Sequence, residues 1–595
     1  MHDITIKTDH LTLENRHLLE QLHERDHLHL IDPERYLPVL RPCRVKVLLV
    51  TDGGLDFSMG DFGLRTFVET LRTTPGFHVR FDITVAHINN VSDDAVMVGL
   101  PGVVRSIKQF KFDDTSHFTP CMYDQVWLFG IATSYARGSS PDGTPYPSDR
   151  LGDAELRALS EFMDGDGGLF ATGDHGALGV CLSGSIPRAR SMRLWGNTSA
   201  NNDLNEVSMS GPRRNDTNRI GPSAGSQFND QSDVVPQPIS PKMYQRWTGL
   251  WRYSYPHPLL CGPRGVIRVS PDHAHEGECV LPTNNNQSST FDGYTIVEYP
   301  PGTGGSARPL PEVIATSSVL AGTTSGGKQP TQAHTFGAIG AYDGHRARVG
   351  RVVTDATWHH YVNINLVGDS GAPAGDPKRL GFLATAAGQA HFEEIKAYNR
   401  NTAMWLARPA LITCMRRRIC WGLLWRDRVM EAVMTNPELN LGQATLGTLY
   451  DIGHHARDVL GTYAGRCQSR RLALDLLAPI LAREFMFPLD PWAPFPEKPP
   501  RGPVPDPVPW FNLEPLLDSV IGGALVALRE EFPDPGMRDK ATDLAIDKAI
   551  LRGAKTAVDQ SLRSIATTQK EFGSLLGKPK AVSNARTRRV KRKRK

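Results

Sequence analysis

The chain has 595 residues, of which 40% are hydrophobic and 22% are charged. These fractions are typical of a folded globular protein and exclude a disordered or fibrous chain, and the length predicts roughly two to four domains. The formal net charge is +4, but eight basic side chains lie in the last ten residues, and removing those eight charges leaves −4.

Changes in composition divide the chain into six predicted segments. They are a His-rich helical segment (1–43), an α/β domain (44–398) with a polar insertion (197–250), a helical region (399–487), a Pro-rich linker (488–511), a helical C-terminal segment (512–580) and a basic tail (581–595). Because its like charges repel and cannot enter a core, we expect the tail to be disordered.

The first half of the α/β domain alternates short apolar runs with amphipathic stretches. The expected strands are Arg44–Thr51, Val79–His87, Asp124–Ile131 and Gly168–Thr172. Helices are expected at Phe62–Leu71 and at Asp153–Met163, with Asp153 as the N-cap. This alternation predicts a doubly wound, mostly parallel sheet with helices on both faces.

Strand-like runs return after the insertion. They are Val266–Ser270, Tyr294–Tyr299, Glu312–Ser318, Phe336–Tyr342 and Gly350–Thr354. A helix near Phe382–Tyr398 is expected to close the domain, and the composition beyond Asn399 is helical. Five arginines exclude a membrane span in the apolar stretch Met415–Met430.

Cysteine spacing and hydropathy together predict a cytoplasmic protein. The N-terminus has no apolar signal segment, and no run of 18 apolar residues occurs, so no membrane span is expected. The eight cysteines contain no CxxC pair, which indicates free thiols and neither a zinc ribbon nor a disulfide framework.

Polar clusters follow several of the predicted strands. In a doubly wound sheet ligands bind at the carboxyl ends of the strands, so these clusters are the candidate site. Their residues are Asp52, Gly53 and Gly54; Thr133; Asp174 and His175; His273, His275 and Glu276; and Trp358, His359 and His360. A charged Asp-His pair between two glycines is poorly explained by packing alone.

Two interpretations of the clusters compete. In the first, groups from separate loops converge on a divalent metal, zinc or manganese, which activates a water molecule. The predicted ligands are His273, His275 and Glu276, with Asp174, His175 and His359 or His360 available to complete the shell. In the second, the site is metal-free and His359 acts as a general base, with Asp174 either as a nucleophile or as a group that only orients an imidazole. Ordinary roles compete with both, since HxH pairs are common at surfaces. If the segment is extended, His359 and His360 face opposite ways, and one of them points away from the site.

Four segments carry a resemblance to a known family. They are VLLVTDGG (47–54), YDQVWLFG (123–130), LGDAELRALSEFMDGDGGLFATGDHGALG (151–179) and GRVVTDATWHHYVNINL (350–366). Over roughly residues 44–398 the chain resembles the class I glutamine amidotransferase-like superfamily, and most closely its ThuA-like (trehalose-utilisation) branch. The resemblance implies a flavodoxin-like fold and a link to sugar metabolism.

The departures from this family bear on the chemistry. Active glutaminases of the superfamily have a Cys at the turn where this chain has Asp174, and Cys181 lies too far along to replace it. Without a thiol there, hydrolysis of glutamine through a thioester is not expected. His359 or His360 matches the superfamily's late His, and His175 matches a His that ThuA-like members have near the turn.

The sequence therefore predicts a hydrolase-like enzyme acting on a polar small molecule, with a sugar derivative as the class implied by the resemblance. The predicted roles are catalysis for Asp174, His175, His359 and His360, substrate binding for Asp52, Gly53, Gly54, Thr133 and Trp358, and metal binding for His273, His275 and Glu276. One alternative is a non-catalytic binding or scaffold protein with a degenerate α/β pocket, which recruits a protein partner through its helical C-terminal region. A second is a nucleic-acid-associated effector anchored by the basic tail.

Overall fold

The structure is a computed structural model of the chain. It describes residues 42–52, 54–74, 78–89, 103–135, 137–174, 177–195, 236–248, 251–271, 277–303, 307–319, 334–369, 371, 374–424, 429, 439–481, 489–493, 514–533 and 542–575. The predicted basic tail, and nearly all of the predicted N-terminal helical segment, lie outside these ranges.

The described residues form strands and helices in the following order. The strands are β1 (Cys43–Thr51), β2 (Val79–His87), β3 (Val103–Lys108), β4 (Gln125–Phe129), β5 (Gly168–Thr172), β6 (Gln237–Pro241), β7 (Met243–Thr248), β8 (Trp251–Pro256), β9 (Cys261–Gly262), β10 (Gly265–Val266), β11 (Val269–Ser270), β12 (Ser288–Phe291), β13 (Tyr294–Val297), β14 (Glu312–Val319), β15 (His334–Tyr342) and β16 (Val352–Asp355). The α-helices are α1 (Arg65–Arg72), α2 (Asp153–Asp164), α3 (Val180–Ser183), α4 (Asn363–Val367), α5 (Ala386–Trp405), α6 (Pro409–Leu424), α7 (Leu446–Leu477), α8 (Glu514–Glu531) and α9 (Asp543–Leu575).

A ten-stranded mixed sheet has the spatial order β11-β6-β14-β15-β16-β5-β4-β1-β2-β3. The strands from β16 to β3 are parallel to one another. The strands β15, β14, β6 and β11 extend the sheet with antiparallel pairs. The predicted α/β class with a mostly parallel sheet is therefore confirmed.

Apolar side chains cover both faces of the parallel strands, as successive residues of a strand point to opposite faces. In β1, Val47 and Leu49 pack in one core cluster with Phe67 of α1, while Leu48 and Val50 pack in the opposite cluster with Leu156 of α2. Burial on both faces explains why these strands are continuous apolar runs rather than alternating ones.

Glu155, in the first turn of helix α2, caps the N-terminus of that helix with its side chain. Its carboxylate accepts the backbone N–H of Gly152 (3.0 Å) and forms a buried ion pair with Arg137 (2.6 Å). Gly152 is extended and is the N-cap, so the prediction of Asp153 as N-cap is wrong by one residue. A glutamate at the third helical position that reaches back to the cap is the second half of a capping box.

The boundaries of the predicted insertion and of the first domain also differ from the structure. Strand β6 belongs to the main sheet, although residues 237–241 fall inside the predicted insertion. Its sequence, QPISP, has one large apolar residue, Ile239, and so gives little strand signal. Helix α5 runs from Ala386 to Trp405, across the predicted boundary at residue 398.

The C-terminal helices form a separate apolar core. Helix α6 contributes Met415 to the core on the α1 face of the sheet, and it contributes Trp421 to the core shared by α7, α8 and α9. The helical composition predicted after residue 399 is confirmed for the described residues. Within those residues, no helix has the length and apolar character needed to cross a membrane.

A disulfide joins Cys43 of β1 to Cys414 of α6 across 371 positions of sequence. The expectation of free thiols is therefore wrong for this pair. Cysteine spacing indicates only pairs that are close along the sequence, whereas the tertiary fold brings these two distant residues together. Cys121, Cys181, Cys261, Cys279 and Cys420 form no disulfide among the described residues.

Candidate functional site

The carboxyl ends of four neighbouring parallel strands lie level at one edge of the sheet. Thr51 of β1 is opposite Phe129 of β4, Phe129 is opposite Thr172 of β5, and Thr172 is opposite Asp355 of β16. The turns that follow these residues therefore meet at one edge. This is the edge at which the sequence predicted a site.

Asp174 lies in the turn between β5 and α3 and is 1% exposed. Its backbone N–H donates to the carbonyl oxygen of Leu178 (3.1 Å), which closes the turn. Gly179 ends the turn with a φ of +88°, and a Cβ there would lie 2.6 Å from the carbonyl oxygen of Gly130. Glycine is required at this position because both the φ and the close approach exclude a side chain.

Asp174 and His359 form a buried carboxylate–imidazole pair. The distance from Asp174 Oδ2 to His359 Nε2 is 3.5 Å, and Thr357 donates its hydroxyl to Asp174 Oδ1 (2.9 Å). The same hydroxyl accepts the backbone N–H of His359 (3.1 Å) and caps the 3₁₀ turn Trp358–His360. Thr357 therefore fixes the carboxylate and the histidine backbone together.

Side chains on three sides hold the imidazole of His359. Its Nδ1 lies 3.2 Å from Asn365 Oδ1, and its ring stacks on Trp358 at 4.0 Å between centroids. Phe62 meets it edge-on at 6.3 Å and is 40% exposed. Phe62 belongs to the loop between β1 and α1, so this loop lies beside the pair.

Arg193 ties the two turns of the pair to each other. Its fully buried guanidinium donates to the carbonyl oxygens of Asp174 (2.9 Å), Ala356 (2.7 Å), Asp355 (3.1 Å) and Leu194 (2.7 Å). Three of these carbonyls belong to the residues around the ends of β5 and β16.

His360 belongs to a different cluster, although it is adjacent to His359. Its Nδ1 lies 2.7 Å from Asp355 Oδ1, and Asp355 Oδ2 accepts the hydroxyls of Tyr361 (2.9 Å) and Tyr398 (3.0 Å). The segment is a 3₁₀ turn and not the extended chain assumed from sequence, and both histidines are buried. Burial raises the pKa of both tyrosines well above the ordinary value.

Asp52 is a fully buried carboxyl group that joins the loops after β1 and β4. It accepts the backbone N–H groups of Ile131 (2.8 Å) and Ala132 (3.2 Å). Burial raises its pKa to about 7, because loss of hydration outweighs these two hydrogen bonds.

Of the other predicted substrate contacts, Gly54 packs near Ile131, Thr133 is exposed, and Trp358 is buried against His359.

Cys181 lies in helix α3, just beyond the Asp174 turn, and is fully buried. Burial raises the pKa of its thiol to about 12, with a further contribution from the charges of Asp52 and Asp149. The thiolate is the nucleophilic form of cysteine, so this thiol is unreactive at neutral pH.

The predicted metal ligands cannot be placed. His273, His275 and Glu276, together with Gly53 and His175, lie outside the described residues. Within the described ranges no group of three or more His, Cys, Asp or Glu side chains is arranged to hold a metal ion. The Asp174–His359 pair offers two donors, and a zinc site with an open position needs three from the protein.

Sequence reasoning missed Thr357, Asn365 and Arg193. The Thr-x-His spacing at 357–359 is a cap signal and could have identified Thr357. Asn365 lies six positions after His359, within the segment 350–366 that carries part of the family resemblance. Arg193 precedes the polar stretch 197–250, and nothing local connects it to the site.

The sequence matches no protein-family model and no curated protein, and the structure matches no solved structure. The superfamily resemblance therefore stays a prediction from four segments of sequence. The functional interpretation depends on the geometry of the site.

Proposed function

We propose that the chain is a hydrolase-like enzyme acting on a polar small molecule, with Asp174 and His359 as its acid–base centre. The observation that carries this proposal is the buried carboxylate beside a buried imidazole, 3.5 Å apart, at the carboxyl edge of parallel strands. Burying two ionisable groups is costly, and such groups are concentrated at functional sites.

The pair holds one transferable proton between Asp174 Oδ2 and His359 Nε2. In the proposed reaction, Asp174 accepts a proton from the attacking water, and His359 donates one to the leaving oxygen. The 3.5 Å separation is longer than a tight hydrogen bond, as catalytic contacts often are without substrate. Thr357 and Asn365 hold the two groups in register, and the ionised carboxylate stabilises the imidazolium.

The proposed fold is flavodoxin-like and amidotransferase-like. Without the edge strand β3, the parallel strands have the order β2-β1-β4-β5-β16, which by chain rank is the flavodoxin order 2-1-3-4-5. Asp174 follows the fourth of these strands, in the slot where glutaminases of the superfamily have their Cys. The buried Cys181 supports the view that the protein is not a glutaminase.

The substrate and metal proposals rest on sequence alone. A sugar derivative is favoured by the ThuA-like resemblance, and a zinc or manganese ion by the pattern His273-x-His275-Glu276. Elemental mass spectrometry on the wild type and on a His273→Ala/His275→Ala variant tests the metal. Near-stoichiometric metal that disappears in the variant supports the ion, and its absence from both folded samples contradicts it.

A substrate panel tests the enzyme proposal. The purified full chain is incubated with nitrophenyl glycosides, sugar esters and sugar amides, and products are detected by mass spectrometry. We expect turnover by the wild type and its loss in Asp174→Asn and His359→Gln. His454→Gln on α7, which is half exposed and pairs with a carboxylate, is the matched control and should keep full turnover. Turnover that survives in both folded site variants contradicts the proposal.

The second candidate is a non-catalytic binding or scaffold protein. Helix α9 favours it, because Leu562, Phe572 and Leu575 are 44%, 60% and 81% exposed. Phe572 and Leu575 are three positions apart and so lie on one face of the helix, and contiguous exposed apolar side chains are typical of a surface that contacts another protein. This candidate predicts no turnover of any panel compound by the folded wild type.

A further inference from the structure

A small cavity is lined in part by His360, and neither Asp174 nor His359 contributes to its wall. The volume open to the centre of a water molecule is about 10 Å³. Apolar side chains form most of the wall, among them Ile239, Leu260, Ile267, Ile339 and Ile395. The polar residues of the wall are Ser270, His360, Tyr398 and Asn399.

Two of these polar side chains have an unsatisfied atom. His360 Nε2 and Ser270 Oγ are both buried and have no hydrogen-bond partner within the part of the chain that the structure describes. The residues are 2% and 7% exposed, so bulk water does not satisfy these atoms. Leaving a buried polar atom without a hydrogen bond is costly, and native proteins rarely do so.

We infer that this cavity binds a single internal water molecule, which donates a hydrogen bond to His360 Nε2 and also bonds Ser270 Oγ. A cavity of this volume holds about one water, and an internal water commonly makes about three hydrogen bonds. His360 and Ser270 supply two partners, and Asn399 is a further polar residue of the wall.

The proton positions on His360 follow from its contacts. Asp355 Oδ1 lies 2.7 Å from His360 Nδ1, so a neutral imidazole carries its hydrogen on Nδ1 and accepts at Nε2. A water molecule is a donor that fits the cavity and satisfies this nitrogen. The result is a continuous polar chain from Ser270 of β11 through the water and His360 to Asp355 of β16.

This assignment gives the two adjacent histidines different roles. His359 shares a proton with Asp174 beside the exposed Phe62, whereas His360 is the link between Asp355 and an enclosed water. The inference is independent of the proposed function, because the cavity does not include Asp174 or His359.

A crystal structure of the full chain at a resolution that shows ordered water tests the inference. We expect one density peak within about 2.7–3.2 Å of both His360 Nε2 and Ser270 Oγ. An empty cavity overturns the inference. So does a direct hydrogen bond between Ser270 and His360, or a rotated His360 whose Nε2 has a protein partner.

A count of long-lived internal waters by magnetic relaxation dispersion tests the same site in solution. Ser270→Val removes one partner and fills the cavity, so we expect it to lose one long-lived water relative to the wild type. Ile339→Val, which changes the wall without touching a polar group, should keep the wild-type count. An unchanged count in folded Ser270→Val overturns the inference. If that variant does not fold, the wild-type crystal structure decides.

Discussion

Two carboxylate–histidine pairs lie side by side at the end of the parallel sheet, and they differ in almost every other respect. Asp174 and His359 are 3.5 Å apart, next to a loop whose Phe62 reaches solvent. Asp355 and His360 are 2.7 Å apart, and the Asp355 carboxylate also accepts hydrogen bonds from two tyrosine hydroxyls. The first pair has the longer separation and lies beside a loop with an exposed side chain, whereas the second is short and its carboxylate accepts further hydrogen bonds. Adjacent residues of one turn can therefore serve chemistry and stability separately.

The largest expected effect is on turnover at the Asp174–His359 pair. Asp174→Asn and His359→Gln should each lower kcat/KM by about 10²–10⁴-fold, because each removes a proton-transfer group. The free energy of unfolding should fall by only about 1 kcal/mol in Asp174→Asn, because the amide oxygen of Asn can still accept the hydrogen bond from Thr357. Steady-state kinetics and urea unfolding of the same samples separate the two effects.

The next effect is on stability at the Asp355–His360 pair. Asp355→Asn should lower the free energy of unfolding by about 3–5 kcal/mol, because it breaks a buried, hydrogen-bonded charge network. Urea unfolding beside Asp174→Asn measures the difference directly. If Asp174→Asn destabilises the protein as much as Asp355→Asn does, the distinction between the two pairs fails.

Arg193 connects the backbones of both pairs, so its loss should affect both. Arg193→Met leaves several buried carbonyl oxygens without a donor and should lower the free energy of unfolding by about 2–4 kcal/mol. Arg157→Met, at a half-exposed arginine with surface ion pairs, is the matched control and should cost less than about 1 kcal/mol. Equal losses in the two variants would show that Arg193 has no special structural role.

The smallest expected effect is at Asp52, a buried carboxyl group at the same edge of the sheet. In its contacts with the loop after β4, this group accepts hydrogen bonds only from backbone N–H groups. Its pKa is about 7 in the folded protein, above the ordinary 3.8 expected in the unfolded chain. At pH values between 3.8 and 7, the unfolded chain therefore binds fewer protons than the folded protein does. The contribution of Asp52 to stability is full below pH 3.8 and is lost as the pH rises through 7.

Asp52→Asn keeps the shape of the side chain and removes its titration. In the wild type, Asp52 contributes to a decline in the free energy of unfolding between about pH 4 and pH 7. In the variant we expect this decline to be smaller by on the order of 1–3 kcal/mol. Urea unfolding at a series of pH values measures the difference between variant and wild type. Asp142→Asn, at an exposed turn, is the control, and parallel curves for Asp52→Asn and wild type would contradict the assignment.

The sequence predicts the parallel strands well because both of their faces are buried. Gly168–Thr172 and Val79–His87 are found with the predicted bounds, since apolar runs ended by turn residues are a strong local signal. Strand β3 was missed, because its edge position leaves polar Arg105 and Ser106 in it. Strand β6 was assigned to the insertion, because its Pro and Ser residues disguise a strand of the main sheet.

The candidate site was predictable in part for the same reason. Asp174 and His359 each follow a recognisable strand, so the strand-end rule selects them without knowledge of the fold. Their pairing depends on the register between β5 and β16, which local sequence does not encode. Arg193 and the Cys43–Cys414 disulfide depend on contacts across the tertiary structure, and no spacing rule identifies such partners.

A double-mutant cycle tests the central claim, that Asp174 and His359 act as one acid–base unit. The kcat/KM of wild type, Asp174→Asn, His359→Gln and the double variant is measured on the best substrate of the panel. If the two groups share one proton, the double variant is no slower than the slower single variant, because groups that act as a unit are strongly non-additive. Losses that multiply in the double variant, or single variants that retain full turnover, would contradict the claim.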